Sequence, residues 1–142
     1  MSPTVERPDD AAEIERLLVR YSTAVDDRDW DLLRSCFTSD VRADYGELGV
    51  WTSADDLVSF MDAAHLGFGA SHHMLTNIVV TLDDGDRDRA TARCHVHAVL
   101  VLLDDPSAWF DTIGGYDDVL RRTADGWRIA ERTFRATRMT SG

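Results

Sequence analysis

The 142-residue chain contains no lysine; all 15 of its basic side chains are arginine. That excludes a Schiff-base lysine, pyridoxal-phosphate chemistry and the lysine of a phosphate-binding loop. It has only two cysteines, Cys36 and Cys94, too few for a disulfide framework, and they read as reduced thiols of a cytoplasmic protein. No apolar run approaches the roughly 18 residues of a membrane span, so no membrane partner is expected. Residues 1–10 lack the charged-then-apolar pattern of a secretory leader. Positive charge is outweighed by 26 acids, and a net charge of -11 repels phosphate backbones, so no nucleic-acid partner is expected. Internal repeats and low-complexity tracts are missing too. The Arg-only, Ala- and Asp-rich composition suits a GC-rich bacterial genome.

What is present reads as a disordered lead-in over residues 1–8 and one domain over 9–140, long enough to bury a core. Asp9 or Asp10 can cap a first helix, on which Ile14, Leu17, Leu18, Tyr21 and Val25 fall at helical spacing. It should end near Asp26–Arg28. Asp29 can cap a second helix, Trp30 to Phe37, burying Leu32, Leu33, Cys36 and Phe37. Residues 41–45 suit a short strand and 46–51 a loop. Ser53 and Asp56 resemble a capping box for a third helix, Ala54 to about His65, burying Leu57, Val58, Phe60 and Met61. Gly67 and Gly69 would stop it, with the 67–69 stretch as either a plain stop or a hinged lid. Long strands are then expected over about 72–82, 89–103, 109–122 and 127–138, with a bulge or bend at Gly114-Gly115. Helices first and a meander second make an α+β fold. The picture is a cone in which N-terminal helices pack on the concave face of a strongly curved, mostly antiparallel sheet and leave a pocket.

Five histidines are the main candidates for chemistry: His65, His72, His73, His95 and His97. Strand alternation puts His73, Leu75, Asn77 and Val79 on one face, and His95 and His97 on one face of the next strand. A histidine in an apolar pocket with a carboxylate beside it is a general base near neutral pH. A tyrosine hydroxyl in that pocket can hold a substrate oxygen. These residue types suit removal of a proton next to a carbonyl. A plainer reading is open on the same residues, with His73 a hydrogen-bonded strand residue and Asp26 a helix-end acid.

The run Asp26-Asp27-Arg28-Asp29-Trp30-Asp31-Leu32-Leu33-Arg34, then Asp40 to Tyr45, resembles scytalone dehydratase. The order helix, Asp, helix, strand, then His73-x-x-x-Asn77 and a meander, resembles the SnoaL-like branch of the nuclear transport factor 2-like superfamily. That branch also holds polyketide cyclases, ketosteroid isomerase, limonene epoxide hydrolase, bile-acid dehydratase and a hexachlorocyclohexane dehydrochlorinase. The resemblance implies that His73 is the base and Asp26 its orienting acid. It implies that Tyr45 orders a water on the substrate carbonyl, and that Tyr21 stands where bile-acid dehydratase has a catalytic tyrosine. Scytalone dehydratase has a tyrosine just before the acid, where this chain has Val25. A second pocket histidine matches His95 or His97. Asn77 and Tyr116 join Trp51, Phe60, Met61 and Phe68 as candidate substrate contacts. Gly114-Gly115-Tyr116-Asp117 replaces a serine and an asparagine of scytalone dehydratase, and the chain ends at Gly142 without a long lid tail, so a substrate other than scytalone is expected.

The implied activity is a cofactor-independent lyase, a dehydratase of a small, apolar or polyketide-like carbonyl compound in secondary metabolism. Alternatives on the same fold are an isomerase, a cyclase, an epoxide hydrolase or a non-catalytic ligand-binding module. His73 with His95 and His97 could hold an open metal site, but the apolar residues just after His97 offer no carboxylate ligand and no metal is expected. Among the arginines that alternate along the last strands, Arg135 is the candidate to reach the pocket. Ile78, Val80, Val96 and Leu100, or their alternates, would give the convex face apolar character, and a homodimer or homotrimer is expected to cover it.

Overall fold

Helix α1 (Asp10–Asp26) begins where Asp9 accepts the Ala12 N–H at 3.2 Å, and its apolar stripe buries Ile14, Leu17, Leu18, Tyr21 and Val25. The computed structural model describes residues 9–142; the lead-in expected over 1–8 lies outside the described residues. Asp29 caps α2 (Trp30–Arg34) through the Leu32 N–H at 3.0 Å. This helix stops three residues earlier than expected. Phe37 is drawn into β1 (Phe37–Asp44) by pairing with Ile129, whose N–H donates to the Cys36 carbonyl at 2.8 Å. Part of the expected 46–51 loop is a two-residue strand, β2 (Val50–Trp51), paired with Ala43 and Asp44. Ser53 accepts the Asp56 N–H at 3.1 Å and starts α3 (Ala54–His65).

Four long strands follow: β3 (Phe68–Leu82), β4 (Arg89–Leu102), β5 (Trp109–Thr123) and β6 (Gly126–Ser141). β3 starts earlier than residue 72 because Phe68 already pairs with Leu102. The 67–69 stretch therefore ends α3 and enters the sheet directly. The six strands lie in the order β2-β1-β6-β5-β4-β3, with β1 and β6 parallel and the other pairs antiparallel. The curved sheet packs its inner face against the helices, and the core lies between them. Among the described residues no helix is long and apolar enough to cross a membrane.

Two irregularities shape the inner face. In β3 the register shifts between Thr76 and Val79, and Asn77 takes a positive φ of 54°, a left-handed geometry that asparagine tolerates. Alternation resets there. Leu75 packs on the core before the bulge, and Ile78 and Val80 do so after it, while Val79 is exposed. Between β5 and β6 the register shifts at Ile113 and Gly114, the place of the expected irregularity, with Thr137 of β6 as the extra residue. A Cβ on Gly114 would stand 2.2 Å from the Arg135 carbonyl oxygen and 3.0 Å from Phe134. The close obstacle is backbone and cannot rotate away. Gly114→Ala is expected to destabilise the protein by about 1–3 kcal/mol, as overpacked sites do; urea denaturation checks this, and an unchanged midpoint would show that β6 shifts freely.

Candidate functional site

The last residue of α1 lies over the start of β3, so a helix end and a strand meet at one carboxylate. His73 Nδ1 donates to Asp26 Oδ1 at 2.7 Å, and the His73 backbone N–H donates to Oδ2 at 2.8 Å. The Ser71 hydroxyl donates to Oδ1, also at 2.8 Å. Arg28, at a positive φ of 57°, turns back over this group. Its guanidinium donates to Ser71 Oγ at 2.8 Å, the Gly69 carbonyl at 2.6 Å and the Val25 carbonyl at 2.8 Å. The Arg28 bond leaves the Ser71 hydroxyl proton for Asp26. A carboxylate only accepts, so Nδ1 carries the ring proton, and Nε2 keeps its lone pair with no protein partner among the described residues.

Burial works to raise the Asp26 pKa. The bonds from the His73 ring, the His73 N–H and Ser71 outweigh it, and the carboxyl sits below its ordinary value. A lowered folded pKa adds stability that is present above the unfolded value of about 3.9 and lost as pH falls through the folded value. Wild type is therefore expected to exceed Asp26→Asn in stability at pH 6, with the gap shrinking progressively below about pH 4. Denaturant titrations of both proteins across that range test the sign; a gap that widened in acid would contradict it.

A cavity of about 330 Å³ lies between the helices and the sheet. Phe60, Met61, Phe68, Phe110, Phe134 and Met139 supply apolar wall, and His65, His73, Tyr21, Tyr45, Thr112 and Tyr116 supply polar atoms. The hydroxyls of Tyr21 and Tyr45 are 2.9 Å apart and buried. Burial holds the phenols of Tyr21, Tyr45 and Tyr116 well above their ordinary pKa, so they stay protonated donors. Only one hydroxyl proton is used between Tyr21 and Tyr45. Behind them Arg132 lies between two rings, its Cζ 3.8 Å from the Tyr116 centroid and 4.2 Å from that of Tyr21. Its Nε and Nη2 donate to Asp118 at 2.8 and 2.9 Å, and both side chains are 0% exposed.

Of the residues singled out in the sequence, Asp26, His73, Tyr21, Tyr45, Phe60, Met61, Phe68 and Tyr116 come together at this place. Trp51 does not line the cavity; it stacks on the back of Phe60 at 4.1 Å. Other expectations fail as well. His95 and His97 do share a face, but Cys94, Val96, Ala98 and Leu100 are the buried, inward positions of β4, so both histidines point outward. His97 Nε2 there donates to Asp111 Oδ2 at 2.8 Å. Asn77 is turned out of the cavity by the bulge it forms. Arg135 is exposed beside Asp117, and Arg132 is the buried arginine. A His73, His95 and His97 metal site is ruled out by this geometry, since the two strands present them to opposite faces. For the same reason Val96 and Leu100 belong to the inner face, and their alternates Val99 and Val101 to the outer one. Cys36 and Cys94 are buried and packed, with thiols pushed up to about 11 by burial.

Sequence reasoning missed Ser71, Arg28 and the Asp118–Arg132 pair, and it named His65 without placing it in the cavity. The pair had a signal: both residues fall at alternating positions among apolar neighbours, Asp118 between Tyr116 and Leu120, and Arg132 two residues before Phe134.

Comparison with known proteins agrees with this architecture. A protein-family model described as a SnoaL-like domain matches residues 6–133. The uncharacterized protein Rv2910c of Mycobacterium tuberculosis is 36% identical over 124 residues, covering 87% of this chain and 82% of its own. The crystal structure of Kfla4162 from Kribbella flavida superposes with a TM-score of 0.82 at 31% identity, over 92% of this chain and 93% of that one. Two more distant structures share the fold. A candidate scytalone dehydratase from Novosphingobium aromaticivorans has a TM-score of 0.80 at 23% identity, over 89% of this chain and 83% of its own. The hexachlorocyclohexane dehydrochlorinase LinA, type 2, has a TM-score of 0.80 at 15% identity, over 92% and 87%.

Proposed function

This chain belongs to the SnoaL-like family, and from that premise we propose that it is a cofactor-independent lyase, a dehydratase acting on a small, mostly apolar carbonyl compound. The observation that carries the reading is the Asp26–His73 pair at 2.7 Å on the wall of an apolar cavity that also holds two hydrogen-bonded phenols. His73 Nε2 takes the proton from the carbon next to the carbonyl. Asp26 keeps the ring in the tautomer that leaves Nε2 basic and stabilises the imidazolium that forms. The second hydroxyl proton of the Tyr21–Tyr45 pair bonds the carbonyl oxygen as charge develops there. The C–O bond to the neighbouring hydroxyl then breaks, the electron pair of the old C–H bond becomes the new C=C, and the imidazolium returns its proton so that water departs. The names of two structural neighbours, a dehydratase and a dehydrochlorinase, denote eliminations, which agrees with this reading. An isomerase or cyclase would share the first proton transfer and differ only in where the electron pair goes.

Turnover of β-hydroxy-ketones, followed by the absorbance of the conjugated product, tests the proposal. Asp26→Asn is expected to lower kcat by about 10²–10⁴-fold, because an amide that donates to Nδ1 turns the ring to the wrong tautomer. Wild-type turnover in that variant would remove Asp26 from the mechanism.

A further inference from the structure

Among the titratable side chains of the cavity, His65 takes no part in that mechanism. α3 buries Leu57 and Met61 four residues apart, and His65 continues the same row into the cavity wall. Its Nδ1 lies 2.7 Å from the Met61 carbonyl oxygen. A carbonyl only accepts, so Nδ1 is the donor and the lone pair is on Nε2. Nε2 has no protein partner among the described residues. The ring is set by Trp30 and Phe68, with centroids at 5.8 and 6.2 Å, and stands 6.3 Å from the ring of His73. The groups around it favour the neutral form. Burial lowers its pKa most, the Met61 bond opposes that, Arg28 and His73 lower it further, and Asp26 raises it. A neutral imidazole fixed in this tautomer presents an acceptor, and only an acceptor, to an otherwise apolar wall. His73 presents the same kind of atom, but its ring is oriented by the bond to Asp26. The two nitrogens therefore suit different hydrogens of one small molecule, the carbon-bound proton at His73 and an O–H at His65.

We propose that His65 is a specificity-determining residue that accepts a hydrogen bond from a substrate hydroxyl, which narrows the substrate class to hydroxylated carbonyl compounds. This rests on the reading of the cavity as a substrate site. His65 binds and transfers no proton: its donor is held by Met61, so the proton for the departing oxygen comes from the His73 imidazolium. A site that hydrogen-bonds a hydroxyl rejects the isostere lacking it, because the buried acceptor is then left unpaired.

The probes are 2-naphthol and 2-fluoronaphthalene, alike in shape but with a donor only in the first, titrated calorimetrically into the full chain at pH 7.5. Wild type is expected to bind 2-naphthol about 10-fold or more tightly over its fluoro analogue. His65→Phe should erase that preference, weakening 2-naphthol and removing the unpaired acceptor that penalises 2-fluoronaphthalene. Retention of the preference in His65→Phe would hand the hydroxyl to the tyrosine pair and overturn the assignment, as would failure of wild type to bind 2-naphthol. Nitrogen-15 spectra of the wild-type protein give a readout that needs no variant. They should show a protonated Nδ1 and an unprotonated Nε2 at His65, and the reverse tautomer would overturn the proposal even if His65→Phe does not fold. None of these readouts involves turnover, so they fail or succeed apart from the Asp26→Asn test of catalysis.

Discussion

His73→Ala is expected to lower kcat/KM by about 10³-fold, within the range a positioned general base contributes, while leaving the fold intact. The fold should survive because of how Asp26 is held. Three groups donate to that carboxylate, and the substitution removes only the ring: the His73 backbone N–H at 2.8 Å and the Ser71 hydroxyl at 2.8 Å remain. Arg28 still fastens Ser71 and the Gly69 carbonyl, so the junction of α1 and β3 stays closed. The space left by the ring opens onto the cavity, so added imidazole can enter it and should restore part of the rate. Steady-state kinetics with and without imidazole, alongside circular dichroism, make the check. Turnover within a few-fold of wild type would remove the base from the mechanism, and a lost fold would show that the ring is structural.

Asp118→Ala should cost more in stability than any surface change, about 3–5 kcal/mol, because it leaves the Arg132 guanidinium charged, fully buried and without its counter-ion. A guanidinium stays protonated in proteins, so Arg132 cannot escape by losing its proton. Its Nη1 already lacks a hydrogen-bond partner. The rings of Tyr21 and Tyr116 on either side offer only their π faces, and these cannot replace a carboxylate. Pairing the change with Arg132→Met removes the stranded charge, so the double variant should recover most of the loss. Urea denaturation of the two single variants and the double variant decides this. A double variant no better than Asp118→Ala would mean that the arginine's packing, rather than its charge, holds the base of the cone.

Most of the architecture was legible in the chain. The 14, 17, 18, 21, 25 stripe and the capping acids located α1, and its length placed Asp26 at a helix end. The broad four-strand meander followed from turn chemistry, and the bulge from Gly114-Gly115. Periodicity could not say which face of a strand is concave. For β4 it grouped His95 with His97 correctly, yet the inner, buried face is the one that carries Val96, Ala98 and Leu100, which line the cavity. Alternation also assumes an unbroken strand. Asn77 violates that in β3, so residues before and after it needed opposite parity. Arg28 and Ser71 escaped notice because their partners lie 43 and 45 residues apart along the chain, in a network no local pattern announces. His65 was visible in the four-residue rhythm of Leu57 and Met61, but a helix end reads as solvent until the opposing wall is known.

The bulge at Asn77 also acts as insulation. It divides β3 into two arms that answer to different neighbours. The arm before it is clamped to α1 through Asp26, and the arm after it runs out to the exposed 83–88 turn. Without a break, slipping the strand by one residue would invert both arms together and swing His73 to the outer surface. With the break, the distal arm can change its pairing or its turn length while the arm that carries the imidazole keeps its orientation. The hairpin tip is thus a place where insertions can be absorbed without reaching the chemistry, and the residue that makes this possible takes no part in it.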